Sequence, residues 1–300
     1  MRRDFFVGLS KILGWLSISG RLLVVVLRRW YQQMCYSALV KMDLDELGRK
    51  YGAVIIRGQV DDYLRASRQD AKGFPPLEGR IYPGHYAPVI FARDSNSVCE
   101  LMRYGAYPPP QIHNPKAYTT FNVRRDNINS HFWAGAFMKH HGFVVLEGFY
   151  EWVAVQDLLM AGVVALRDVE AEFAKQSEER KRKILAVGKK YKSTPTESKD
   201  PLLRKIVIEF RPDDQQEMLA PVIFSHGVQA NGHKGWGFAI ITDDPPLEIS
   251  AAGHDRCPVI LQPEALTQWL HPESSGPKDL IELLGMKQRV AFNHKLPEVA

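Results

Sequence analysis

The sequence predicts an α+β domain whose core is largely sheet. Short apolar runs recur between Gly, Pro and Asp residues, as strands do. Stretches of helical spacing with recognisable start and stop residues stand at the edges of the chain. The 300 residues are 45% hydrophobic and 24% charged, enough apolar surface for a sizeable core and too much for a disordered chain.

Residues 1–33 form a basic, apolar extension. Arg2, Arg3, Lys11, Arg21, Arg28 and Arg29 stand against the single acid Asp4. Phe5, Leu9, Ile12, Leu13 and Leu16 recur at helical spacing, while the unbroken apolar run Leu22 to Leu27 is far below the roughly 20 residues of a spanning helix. Three readings stay open: a membrane-surface helix, a targeting or pro-segment, or translated sequence upstream of the true start. The last has a chemical consequence. Met34 directly precedes Cys35, so initiation there and methionine removal leave Cys35 with a free α-amine.

A helix is expected from Ala38 to Tyr51, on the spacing of Leu39, Met42, Leu47 and Tyr51 with Gly52 as its stop. A polar segment then leads to a bend at Phe74-Pro75-Pro76. Strands are expected at Val89 to Phe91, Phe143 to Leu146, Val222 to Phe224, Phe238 to Ile241 and Val259 to Leu261. Leu158 to Tyr191 reads as a long helix, highly charged from Lys175 to Lys183, followed by a polar loop over Ser193 to Asp200; together they form an insertion at about 155–205. Two short helices close the chain. One starts with Pro263 in its first turn and ends near Leu270, and the other spans about Asp279 to Leu284 before Gly285. No internal repeat is present.

Net charge of +5 and a pI near 9.0 lean toward acidic partners. Cys35, Cys99 and Cys257 are odd in number and widely spaced, which draws neither a disulfide framework nor a Cys-x-x-Cys pair and fits a reducing cytosol. Ten histidines include no His-x-x-x-His or His-x-x-Glu-His spacing, so no metal is expected. Gly227 to Lys234 has the glycine spacing of a phosphate loop, but His233 stands where the lysine is required. No Gly-x-Ser-x-Gly elbow is present either.

What remains is an ordered set: Met34-Cys35, His85-Tyr86-Ala87-Pro88, Met102-Arg103-Tyr104-Gly105, Phe121-Asn122-Val123-Arg124, Gly148-Phe149-Tyr150-Glu151-Trp152 and Gly253-His254-Asp255-Arg256-Cys257-Pro258. Each piece has an ordinary reading. A lone cysteine is most often a small buried hydrophobe. Glu151 between two aromatic residues would point to solvent by simple alternation. His254 serves as a turn residue, Asn122 as a cap, and Arg124 and Arg256 as surface charge.

Taken in order, the set resembles the SRAP family of DNA-damage proteins, over most of Met34 to Leu270. The resemblance implies a single domain around a twisted, barrel-like mixed sheet flanked by helices. It implies that Cys35, once N-terminal, traps the aldehyde of an abasic site in single-stranded DNA as a thiazolidine, a ring that needs both the α-amine and the thiol of one residue. Glu151 would be general acid and base, His254 would assist proton transfer, and Asn122 would orient the amine. Arg124, Arg256 and Arg103 would hold phosphates, and Tyr104, with Tyr107 and Trp152, would stack bases.

No cofactor is implied. The partner is single-stranded DNA containing abasic sites, a replication-fork protein such as a sliding clamp or polymerase stays open as another, and the protein is expected to be a cytoplasmic, nucleoid-associated monomer. Tyr36-Ser37 stand where the family carries Gly-Arg, Asp126 where glutamate is common, and Cys257 where methionine is frequent. Three alternatives remain: a thiol-dependent autopeptidase cutting between Met34 and Cys35, an N-terminal-cysteine amidohydrolase, and a non-covalent DNA-binding module.

Overall fold

Among the described residues twelve strands form one sheet, and five of them close into a barrel. The computed structural model describes residues 37–112, 120–155, 174–179, 181–182, 205–214, 216–229, 232–251 and 254–295. In chain order the strands are β1 (Ser37–Val40), β2 (Ala53–Ile55), β3 (Arg80–Ile81), β4 (Tyr86–Arg93), β5 (Asn96–Tyr104), β6 (Asn122–Arg124), β7 (His141–Ala154), β8 (Lys205–Pro212), β9 (Met218–Val228), β10 (Lys234–Asp243), β11 (Cys257–Pro258) and β12 (Phe292–Lys295). The ring runs β10-β5-β4-β7-β9 and back to β10, with β5 and β10 parallel and every other neighbour antiparallel. This is the barrel-like mixed sheet expected.

Alternation along the ring divides the apolar residues into two cores. Val89, Met102, Val144, Val222 and Ile240 point into the barrel. Their sequence neighbours Ile90, Val145, Ile223 and Ile241 point outward, where helices cover them. Each such side chain contributes about 1.5–3 kcal/mol when fully buried, so the double layer dominates the stability of the domain.

The helices are α1 (Leu44–Tyr51), α2 (Arg57–Gln69), α3 (Ala134–Phe137), α4 (Leu247–Ala251), α5 (Pro263–Leu270) and α6 (Pro277–Leu283). Helix α1 is shorter than its expected span from Ala38. Asp43 accepts a 2.8 Å hydrogen bond from the Glu46 amide and so caps the helix there, while Gly52 ends it in the left-handed conformation at φ 61°. Residues 37–40 pair instead as β1. The polar segment after β2 folds as α2, burying little beyond Tyr63. Val259 and Ile260 are buried but unpaired as strand, with β11 ending at Pro258 and Leu261 making a single bridge to Lys287. Helix α5 begins with its proline in the first turn, as the sequence requires. Of the long helix expected over Leu158 to Tyr191, the described residues show helical turns on either side of a break at Lys175 to Ser177, and the remainder lies outside them.

One irregularity decides where the chemistry sits. β1 pairs Leu39 with Gly148 and then Val40 with Leu146, skipping Glu147 on β7. This bulge reverses the alternation of β7. Before it, Val144 and Leu146 face the barrel; after it, Phe149 and Val153 do. Glu151, midway between Phe149 and Val153, is therefore turned inward. Gly148 suits the bulge, because a Cβ there would stand 2.9 Å from the Phe210 carbonyl oxygen.

Candidate active site

Three buried polar residues face the barrel interior, and two of them, Glu151 and His254, are in direct contact near the end of β7. Glu151 is 1% exposed. The expectation that it is solvated by alternation fails, for the bulge puts it in phase with Phe149 and Val153. Asn122, at the start of β6, pairs in parallel with Ile240 of β10 and shares its inward face. It is 3% exposed, and its Oδ1 accepts a 2.9 Å hydrogen bond from the Tyr104 hydroxyl. Tyr104 ends β5 beside Phe238 and is fully buried. A base-stacking role does not suit that position; Tyr104 is instead the wall against which Asn122 is held.

His254, 5% exposed, enters the barrel end from the turn ahead of β11. Its Nε2 lies 2.8 Å from Glu151 Oε2, and its Nδ1 lies 2.9 Å from the Arg256 carbonyl oxygen. The Arg256 amide nitrogen also lies 3.4 Å from Nδ1, but the carbonyl contact is the shorter and a carbonyl only accepts, which favours a proton on Nδ1. Nε2 against the carboxylate then needs a second proton shared within the pair. Burial by itself would lower the His254 pKa, but the Glu151 carboxylate, together with the Arg256 carbonyl and Asp255, outweighs it and raises the pKa above 6.5. Glu151 Oε1 has no hydrogen-bond partner among the described residues, and the Oε2 contact to His254 is an ion pair rather than a well-aligned hydrogen bond. A buried carboxylate so sparingly satisfied is unusual in a purely structural setting.

Cys257, buried in β11, is close enough to Glu151 to feel its charge: burial and then the carboxylate push its thiol pKa up. That thiol is held protonated and is a poor nucleophile. Cys99 is likewise pushed up to about 12 by burial, on the outer side of the barrel. Cys35 lies outside the described residues, which begin at Ser37. Ser37 is opposite Tyr150, the neighbour of Glu151.

The basic residues are placed at the same end but are engaged. Arg124 Nε donates to Asp126 Oδ1 at 2.9 Å. Arg256 Nη1 donates to Asp244 Oδ1 at 2.6 Å, and its charge also helps hold the Asp126 carboxyl below its usual range, after the Arg124 hydrogen bond. Arg103 Nη1 reaches the Gly105 carbonyl at 3.2 Å. Tyr107 is pinned through its backbone to Ser225, and Trp152 is 38% exposed on the outer face. Arg80 escaped the sequence reading, since nothing in its turn context distinguishes it. Its guanidinium lies 3.6 Å over the Tyr150 ring.

A shared proton in a dry, charge-paired setting can be delivered to a leaving oxygen and recovered from an attacking amine, which is general acid–base chemistry. Among the described residues no cluster of His, Cys, Asp and Glu has the arrangement of a metal site.

Comparison with known proteins follows the same line. A protein from Bacteroides thetaiotaomicron of solved structure matches with a TM-score of 0.54 at 16% identity, covering 83% of this chain and 86% of that one. A protein from Bordetella bronchiseptica matches with a TM-score of 0.55 at 13% identity, covering 88% of this chain and all of that one (100%). At these identities the likeness is one of fold. A comparison with curated proteins finds no match. The family model for SOS response associated peptidase (SRAP) matches residues 34–296, nearly all of the sequence beyond the basic extension. The chain therefore belongs to the SRAP family.

Proposed function

We propose that this protein caps abasic sites in single-stranded DNA by forming a thiazolidine through Cys35. The observation that carries the reading is the buried Glu151–His254 pair, whose carboxylate stands on the strand that pairs with the start of β1. Cys35 precedes Ser37 by two peptide units, which limits their Cα separation to about 7 Å. The match to the family begins at Met34, one residue before that cysteine.

An abasic sugar opens when its ring oxygen gains a proton from Glu151 as the ring C–O bond breaks, and the C1 hydroxyl returns a proton to the pair as it becomes the aldehyde. The α-amine of Cys35 attacks the aldehyde carbon, and loss of water gives an imine. The thiol sulfur then adds to the imine carbon while its proton passes to nitrogen. Aldehyde and aminothiol thus become thiazolidine and water, with no oxidant or cofactor. His254 restores the proton to Glu151 between steps, and Asn122, held by Tyr104, orients the amine. Phosphates on either side displace Asp126 and Asp244 from Arg124 and Arg256, trading one exposed carboxylate partner for another anion.

The peptidase reading concerns the same residues at an earlier stage, with cleavage between Met34 and Cys35 exposing the amine. Initiation at Met34 followed by methionine removal yields the same terminus without it. A denaturing-gel shift tests the proposal: abasic single-stranded DNA gives a retained band with the Met34-start protein and none with Cys35→Ala. A band that persists in Cys35→Ala would remove the cysteine from the chemistry.

A further inference from the structure

Arg80 occupies a position that neither proton transfer nor phosphate binding explains. It pairs through its backbone with Leu39, so it flanks β1 on the side opposite β7. Its side chain then crosses the start of β1. The guanidinium stacks 3.6 Å over the ring of Tyr150, and Nε donates to Ser37 Oγ at 3.3 Å. Ser37 is 1% exposed and is itself the register partner of Tyr150. Tyr150 is fixed from its other side as well, since β8 sets Glu209 opposite it and Arg211 Nε is bonded to Glu209. Further along, the Val40 amide donates to the Gly79 carbonyl at 2.9 Å, so both ends of β1 are tied to the strand that carries Arg80.

We infer that Arg80 is a positioning residue: by bridging Ser37 and the Tyr150 ring it clamps the first residues of β1 against β7 and so sets the approach of residue 35 to Glu151. The inference rests on the function proposed above for its catalytic consequence, and on the strand geometry alone for the clamp. A planar guanidinium is required. Lysine keeps the charge but has neither the flat face for the ring nor an Nε donor at that depth.

The test compares wild type with Arg80→Ala, Arg80→Lys and Tyr150→Leu, using two readouts. Hydrogen exchange in the full chain reports the amides of residues 37–39, independently of any DNA chemistry. Crosslinking to abasic single-stranded DNA, alongside noncovalent binding to abasic-free DNA, reports the consequence. Arg80→Ala should lower both protection and crosslinking rate by about tenfold, the scale of one desolvated cation–π contact, with binding unchanged within about twofold. Arg80→Lys should rescue neither, and Tyr150→Leu should reproduce the loss if Arg80→Ala does not fold. Unchanged protection would overturn the clamp. Weakened DNA binding rescued by lysine would overturn it too, by making Arg80 a phosphate contact. If wild type forms no crosslink while Arg80→Ala still loses protection, the clamp stands and the proposed function fails.

Discussion

Glu151 Oε2 and His254 Nε2 meet at 2.8 Å in a setting where both residues are shut off from solvent. The His254 pKa is raised by that carboxylate against the opposing effect of burial. Glu151→Gln removes the charge and leaves burial opposed only by the Arg256 carbonyl and Asp255. The His254 ring, followed by NMR, should therefore titrate above 6.5 in wild type and at a lower pH in Glu151→Gln. Crosslinking should slow by about 10²–10⁴ in the variant, as for loss of a general acid–base group. An unchanged rate would take Glu151 out of the mechanism.

The same pair predicts a pH dependence of stability. The folded pKa of His254 lies above the unfolded value of about 6.5. The stabilisation it provides is complete below the unfolded value and is lost as pH rises through the folded one. Stability of wild type to urea should fall across that window, while Glu151→Gln should show a smaller decline. Parallel curves for the two proteins would contradict the assignment.

The bulge at Glu147 and Gly148 gives a third prediction. Gly148→Ala brings a Cβ within 2.9 Å of the Phe210 carbonyl oxygen, a backbone atom that cannot swing aside. The substitution should destabilise by about 1–3 kcal/mol. It should also disturb the inward phase of Glu151, so crosslinking falls by more than the loss of folded protein accounts for. A stable Gly148→Ala with full activity would show that the phase of β7 is set elsewhere.

Much of this was legible in the sequence and some was not, for physical reasons. The apolar runs at Val89, Phe143, Val222 and Phe238 became the barrel strands β4, β7, β9 and β10, because buried runs between turn residues have few other fates. α5 was legible from Pro263. Helix α1 was legible only from Leu44 onward, since Leu39 lies in the strand β1 and the helix begins only after Asp43 caps it. The inward aim of Glu151 was hidden, because a one-residue bulge set by pairing with β1 reverses alternation without leaving a local signal beyond Gly148. Tyr104 looked like a stacking aromatic, and only its pairing beside Phe238 reveals an interior place behind Asn122.

That place yields a fourth expectation. Tyr104→Phe keeps the ring packing and deletes the hydroxyl that donates to Asn122 Oδ1. Stability should fall by about 1 kcal/mol, the usual net worth of such a bond. DNA binding should be unaffected, and crosslinking should fall if Asn122 orients the amine. Weakened binding without a slower crosslinking step would return Tyr104 to a contact role.

Arg124 and Arg256 predict a salt signature. Each is paired with an aspartate whose side chain is well exposed, so a phosphate can replace it. Arg124→Ala and Arg256→Ala should each weaken single-stranded DNA binding across sequences and reduce the salt slope by about 1. A slope identical to wild type in both would place the DNA path elsewhere.

The central claim is that Cys35 itself becomes the link to DNA. Peptide mapping by tandem mass spectrometry, after reaction of the Met34-start protein with abasic single-stranded DNA and nuclease digestion, tests it most directly. The account predicts a sugar remnant on an N-terminal peptide that begins at Cys35, at the mass of condensation with loss of one water. An adduct on a lysine or on Cys257, or an unmodified N-terminal peptide in crosslinked protein, would contradict it.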